Sequence, residues 1–143
     1  MKKLVVIIVL ILLIFVLFMV LAQKENIEKI KEVCFENKCF EVEIAKDKAL
    51  GLMNREVLDG GMLFVYNQER FISIWMKNMK IPIDIIWLNK DKEVVHLVEN
   101  AQPCITEKCE SFKSNKKAQY ILEVNAGQIQ ENNVQLGNQV EFK

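Results

Sequence analysis

The chain has 143 residues, with 19 basic and 19 acidic side chains, one histidine, four cysteines, five glycines and two prolines. Balanced charge excludes the basic footprint of a nucleic-acid-binding surface, and no basic stripe points to anionic lipid. So few glycines and prolines exclude a low-complexity or disordered chain.

After Met1-Lys2-Lys3, the run Leu4–Ala22 carries no charged or polar side chain. As a helix it rises about 28 Å at ~1.5 Å per residue, close to the hydrocarbon thickness of a bilayer. A secretory signal has an apolar core of only ~7–15 residues, so a retained transmembrane anchor is expected. The alternative is a cleaved signal, for which Val20-Leu21-Ala22 supplies an imperfect small-residue site. Gln23 follows Ala22, so no thiol stands there for a lipid anchor. The positive-inside rule assigns residues 1–3 to the cytoplasm, 4–22 to the membrane, 23–31 to a polar stalk and 32–143 to an extracytoplasmic domain. The expected localisation is the cell membrane, single-pass. Without Lys2 and Lys3 the chain keeps 17 basic against 19 acidic residues. The membrane and an unknown ligand or envelope protein are the expected partners; nucleic acid is not.

The cysteines fall into two local pairs, Cys34/Cys39 and Cys104/Cys109. In an oxidising compartment disulfides are the default, although four cysteines allow three connectivities. Val33-Cys34-Phe35 and Lys38–Ile44 read as two strands around a turn at Glu36-Asn37. A two-residue turn sets Cys34 opposite Cys39 at a spacing that a disulfide tolerates. The second pair closes Ile105-Thr106-Glu107-Lys108 into a small loop. A zinc site built from two Cys-x4-Cys knuckles is the weaker alternative, because exported thiols oxidise first.

Further along, Asp47 is placed to cap a short helix through Leu52-Met53, ending near Asn54-Arg55. Gly60-Gly61 is a turn before the apolar strand Met62–Tyr66, and Phe71–Met76 is another strand. Pro82 precedes a strand Ile83–Leu88, which turns at Asn89–Lys92 into Glu93–Glu99. Gln119–Val124 is a strand, Ala126-Gly127 opens a short helical turn, and Gln139–Phe142 is the last strand. The expected fold is α+β and mostly β: a small antiparallel barrel-like domain of seven or eight strands with two short helices, after one transmembrane helix.

Asp84 and Glu123 stand alone inside apolar strands. Such an acid either faces solvent or is buried and needs a partner, for which Lys77, Asn78 and Arg55 are the candidates. The functional reading is a polar pocket in which Asp84 or Glu123 acts as acid or base, with Lys77 or Arg55 holding an anionic group. The structural reading is an ion pair. His96 has no second histidine to form a triad or zinc site. Met53, Met62, Met76 and Met79 suggest soft metal ligands, but methionines among Leu, Phe and Trp are core fillers by default.

Three segments are distinctive in combination: Gly51-Leu52-Met53-x-Arg55 with Gly61-Met62-Leu63-Phe64-Val65; Trp75-Met76-Lys77-Asn78-Met79-x-Ile81-Pro82-Ile83-Asp84-Ile85; and Tyr120-Ile121-Leu122-Glu123-Val124-x-Ala126-Gly127, with Gly137 ten residues on. Over residues 30–143 the chain resembles the prokaryotic family known as domain of unknown function 192. Pro103-Cys104…Cys109 also has counterparts in many relatives. Met79 departs from a frequent threonine, and Asn138 from a common acidic residue. The resemblance implies a small barrel-like α+β domain, often exported, and no reaction. It marks Arg55, Trp75, Lys77, Asn78, Asp84 and Glu123 as signature residues.

The leading functional expectation is a membrane-tethered extracytoplasmic binding or accessory module, with Arg55, Trp75, Lys77, Asn78 and Asp84 as candidate binding residues. The alternative is a hydrolase-like envelope enzyme using Asp84 or Glu123, with Lys77 as a further catalytic candidate. A metal module using methionine or cysteine ranks third. No cofactor and no metal site are assigned.

Overall fold

A computed structural model describes residues 2–36 and 38–143; Asn37, half of the expected first turn, lies outside them, as does Met1. The chain divides into two compact units, one ending at Ile30 and the other Lys31–Lys143. The first is a single helix, α1 (Lys2–Glu28), long and apolar enough to cross a membrane. It continues past Ala22 into the polar stretch that follows and ends at Glu28. Lys24–Glu28 and Glu25–Lys29 are oppositely charged at i,i+4, and their ammonium–carboxylate distances are 4.0 and 2.8 Å. Such pairs support an exposed helical turn.

The second unit is mostly β. Its strands are β1 (Glu32–Cys34), β2 (Cys39–Ile44), β3 (Gly61–Arg70), β4 (Ser73–Trp75), β5 (Ile83–Leu88), β6 (Val94–Ala101), β7 (Ser111–Lys113), β8 (Ala118–Asn125) and β9 (Glu141–Phe142). A short helix α2 (Gln128–Glu131) follows β8. Seven strands form one sheet in the order β6-β5-β8-β3-β2-β1-β9, and β4 and β7 form a separate ribbon. Where the two edges of the sheet approach, Glu93 bridges Gln139, and Val94 N–H donates to Asn138 O at 2.9 Å. That seam curls the sheet into the expected barrel-like form.

The Cys34–Cys39 and Cys104–Cys109 disulfides are both present, and no cysteine is free. Cys34 pairs with Cys39 in the β1–β2 register, as the spacing requires. All strand pairs are antiparallel except β2–β3, which is parallel. A parallel pair needs a long crossover, and residues 45–60 supply it. The expected helix within that crossover does not form. Asp47 does cap, its Oδ1 accepting from Ala49 and Leu50 N–H at 2.8 and 3.2 Å. Gly51 (φ 48°) and Asn54 (φ 62°) then turn left-handed, so the segment winds as consecutive turns. Gly60 (φ 75°) packs so closely on β2 that a Cβ would collide with the Glu41 carbonyl oxygen.

Strand alternation gives the sheet two apolar faces. Met62, Phe64, Ile83, Ile85, Trp87 and Ile121 share one face, packed under Leu52 and Leu58 of the crossover and under Ile72, Ile74, Met76 and Met79. Trp87 Nε1 donates to Ile72 O at 3.2 Å, fixing the β4 approach over this face. Leu63, Ile86, Leu88, Leu122 and Val124, all essentially inaccessible, occupy the other.

Candidate functional site

On β8, Glu123 stands opposite Met62 of β3 and Ile85 of β5, so its side chain leaves the sheet on the face covered by the crossover and β4. The cover is incomplete. A pocket of about 90 Å³ remains, lined by Lys48–Met53, Phe64, Tyr66, Ser73–Trp75 and Glu123. Gly51 lets the crossover settle on the aromatic wall: a Cβ there would lie 3.2 Å from Phe64 Cζ. Trp75 is 47% exposed and forms part of the lining, whereas Glu123 is 4% exposed. Among the described residues no group donates a hydrogen bond to the Glu123 carboxyl. Burial without a cationic partner pushes its pKa up to about 8. Burial also raises Tyr66; the Arg70 guanidinium opposes that rise and Glu123 adds to it.

The segment carrying Trp75 is latched by the second disulfide loop. Cys104 N–H donates to Met76 O at 2.9 Å, and Asn78 N–H donates to Cys104 O at 3.1 Å. Asn78 sits at φ 57°, a conformation asparagine tolerates better than most residues, and its carbonyl accepts from Asn54 N–H at 2.9 Å. Asn78 thus joins the crossover to the Trp75 segment. The Lys77 ammonium lies 5.4 Å from the Trp75 ring centroid, within cation–π range.

Asp84 is elsewhere. It pairs in register with Val124, one step from Glu123, so its side chain leaves the opposite face. Its oxygens accept from Asn100 N–H at 2.8 Å and Ile129 N–H at 2.7 Å. Arg55, Lys77 and Asn78 are therefore not its partners, contrary to expectation. The reason is a register shift between β5 and β6 beside Asp84, where Asn100 turns left-handed and frees its N–H for the carboxylate. Arg55 instead forms a two-pronged ion pair with Glu43 at the surface.

Of the sequence candidates, Trp75 and Glu123 line the pocket, Lys77 and Asn78 flank it, and Arg55 and Asp84 do not line it. Lys48, Phe64 and Tyr66 were not among those candidates. The period-two run Met62, Phe64, Tyr66 on the Glu123 side is the signal that points to two of them. Met62, Met76 and Met79 are buried in the core, and Met53 is a partly buried lining residue. Glu32, Cys34 and Cys39 bring their ligating atoms within 4.8 Å of one another, but both sulfurs are already joined. His96 packs edge-on against Trp87, 5.0 Å between centroids, and burial lowers its pKa.

The sequence profile of the family DUF192, described as "Uncharacterized ACR", matches residues 30–142. A crystal structure from Sinorhizobium meliloti 1021, of a protein provisionally named a transcription regulator, is similar with a TM-score of 0.68 and 30% identity, covering 78% of this chain and 90% of that one. A protein of unknown function from Novosphingobium aromaticivorans DSM 12444 is similar with a TM-score of 0.68 and 29% identity, covering 77% and 81%. No curated protein matches the chain.

Proposed function

We propose that this chain, which belongs to the DUF192 family, is a membrane-tethered extracytoplasmic binding module of the cell envelope, with its ligand entering the Glu123 pocket. One observation carries the reading: a carboxyl 4% exposed lines a small aromatic-walled pocket, and its raised pKa has burial as the cause, with no hydrogen bond or ion pair opposing it. Among the described residues no fully enclosed side-chain oxygen or nitrogen lacks a partner, so the Glu123 oxygens open onto the pocket, and pockets with a few convergent polar groups are the usual places for ligands. The tether rests on the apolar helix Lys2–Glu28, and the compartment on the lysines before the apolar run and the two disulfides. A role on nucleic acid, suggested by the name of the S. meliloti protein, finds no support in 17 basic against 19 acidic residues after Lys3.

The enzyme alternative keeps one foothold. Glu123, with a pKa pushed up to about 8, has the character of a general acid. Asp84 does not supply a second carboxyl beside it, because the two side chains leave opposite faces of the sheet.

Two measurements test the proposal. A C-terminal phosphatase fusion, active only outside the cytoplasm, should be active and stay in the membrane fraction after alkaline carbonate washing. Trp75→Ala in the full chain should fold normally yet fail to complement a deletion strain. Full complementation would remove the pocket from the function, and a cytoplasmic fusion would remove the envelope.

A further inference from the structure

Cations stand over two aromatic residues of the pocket lining, and one of them, Lys48, lines the pocket itself. The Lys48 ammonium lies 5.4 Å from the Tyr66 ring centroid and the Arg70 guanidinium 5.1 Å from the same ring. Lys77 stands equivalently over Trp75, at 5.4 Å. Among the described residues none of these three cations has a carboxylate in salt-bridge range; the acids of this domain that form ion pairs do so with Arg55, Lys80, Lys90 and Lys143. Cations on both Tyr66 and Trp75 disfavour a cationic guest, which would meet like charge over the aromatic surfaces it needs. A neutral guest would leave the three cations unpaired.

We propose that the pocket takes a compact anionic group of carboxylate size, drawn in by Lys48 at the mouth and held by the Glu123 carboxyl acting as a hydrogen-bond donor. This rests on the reading of the pocket as the ligand site. The volume of about 90 Å³ is small, which suits the end of a larger ligand. Burial keeps Glu123 protonated at neutral pH, so it offers an O–H, and an O–H donated to a carboxylate is among the strong hydrogen bonds. The other elements packed on Glu123 bring few titratable groups. Tyr66 comes from β3 and Lys48 from the crossover, while β4 contributes Ser73, Ile74 and Trp75, and β5 contributes Ile85. Burial holds Tyr66 above its ordinary range, so Glu123 governs the pocket between pH 6 and pH 9.

The test uses the full chain in detergent micelles with ¹⁵N-labelled tryptophan, which gives one indole signal for Trp75 and one for Trp87. Acetate at pH 6.5 should move the Trp75 signal saturably and leave that of Trp87, bonded to Ile72 O. Affinity should fall about tenfold per pH unit above pH 8 as Glu123 loses its proton. Glu123→Gln, which keeps a donor and does not titrate, should bind acetate evenly across that range, and Lys48→Met should bind several-fold more weakly. If the glutamine variant loses its dispersed spectrum, the wild-type pH series and Lys48→Met decide the matter. A Trp75 shift with methylammonium or glucose but not acetate overturns the anion and leaves the binding site standing. No shift with any of the three overturns both, and acetate binding unchanged to pH 10 overturns Glu123 as the donor.

Discussion

Asp84 and Glu123 lie on adjacent strands one register step apart, and that single step sends their side chains to opposite faces of the sheet. Asp84 is saturated by two backbone N–H groups on its face of the sheet. Glu123, on the other, lines the pocket without a donor.

Replacing Asp84 by Ala should cost several kcal/mol, because it removes a fully buried side chain and leaves the buried Ile129 N–H without an acceptor at about 1–3 kcal/mol, with a smaller loss at the part-buried Asn100 N–H. Thermal unfolding should show a Tm lower by roughly 10 °C or more. Asp84→Asn, which keeps one acceptor, should lie between. A wild-type Tm for the alanine variant would refute the role given to Asp84.

Stability should depend on pH through Glu123. Its folded pKa, about 8, exceeds the ~4.3 of an unfolded glutamate, so the folded state holds a proton that the unfolded state has lost. The resulting stabilisation is complete below about pH 4.3 and declines as pH rises, until it is gone near pH 8. Across that window the wild type should lose a few kcal/mol relative to Glu123→Gln, measured as chemical denaturation midpoints at pH 5 and pH 8. Parallel curves would show that Glu123 ionises freely in the folded protein.

The two disulfides should separate in their effects. Each closes a short loop and is worth about 2 kcal/mol in the chain-entropy model, so serine replacement of either pair should lower stability similarly. Only loss of Cys104–Cys109 should also disturb the pocket, because Cys104 N–H and C=O hold Met76 and Asn78 next to Trp75. The Trp75 indole signal should therefore broaden or shift in that variant and stay in place without Cys34–Cys39. Equal effects on Trp75 would refute the latch.

Gly60→Ala should be among the most damaging small substitutions. It adds a Cβ against the Glu41 carbonyl oxygen at a positive φ, where alanine is strained. A loss of more than about 2 kcal/mol is expected, read as a lowered denaturation midpoint or as failure to fold. Gly127→Ala has open space around its Cβ and should cost less.

Much of this fold was legible because it follows from local patterns. The Cys34/Cys39 hairpin, the apolar run from Met62 and the strand after Pro82 each announce themselves by alternation and turn residues. The β7 strand did not: Ser111-Phe112-Lys113 has one apolar side chain, and its extended form is set by pairing with β4. The helix expected after Asp47 failed because a correct cap cannot carry the chain past left-handed Gly51. For the site, both buried acids stood out in sequence, but their roles turned on register, which the β5–β6 shift beside Asp84 decides and no local pattern records. Lys48 was invisible because the crossover that places it follows from the parallel pairing of β2 and β3, which no local pattern records.

The pairing of β1 with β9 also constrains the order in which this domain matures. Synthesis delivers β1 first and β9 last, with nearly the whole domain between them, so the contact has the greatest sequence separation in the sheet. Closing it pays the largest loop entropy and comes late in folding. Until β9 arrives, the outer edge of β1 exposes unpaired backbone, a template for wrong partners. The early Cys34–Cys39 bond secures the β1–β2 hairpin during that wait, and so guards a nascent edge well before it supports a finished sheet.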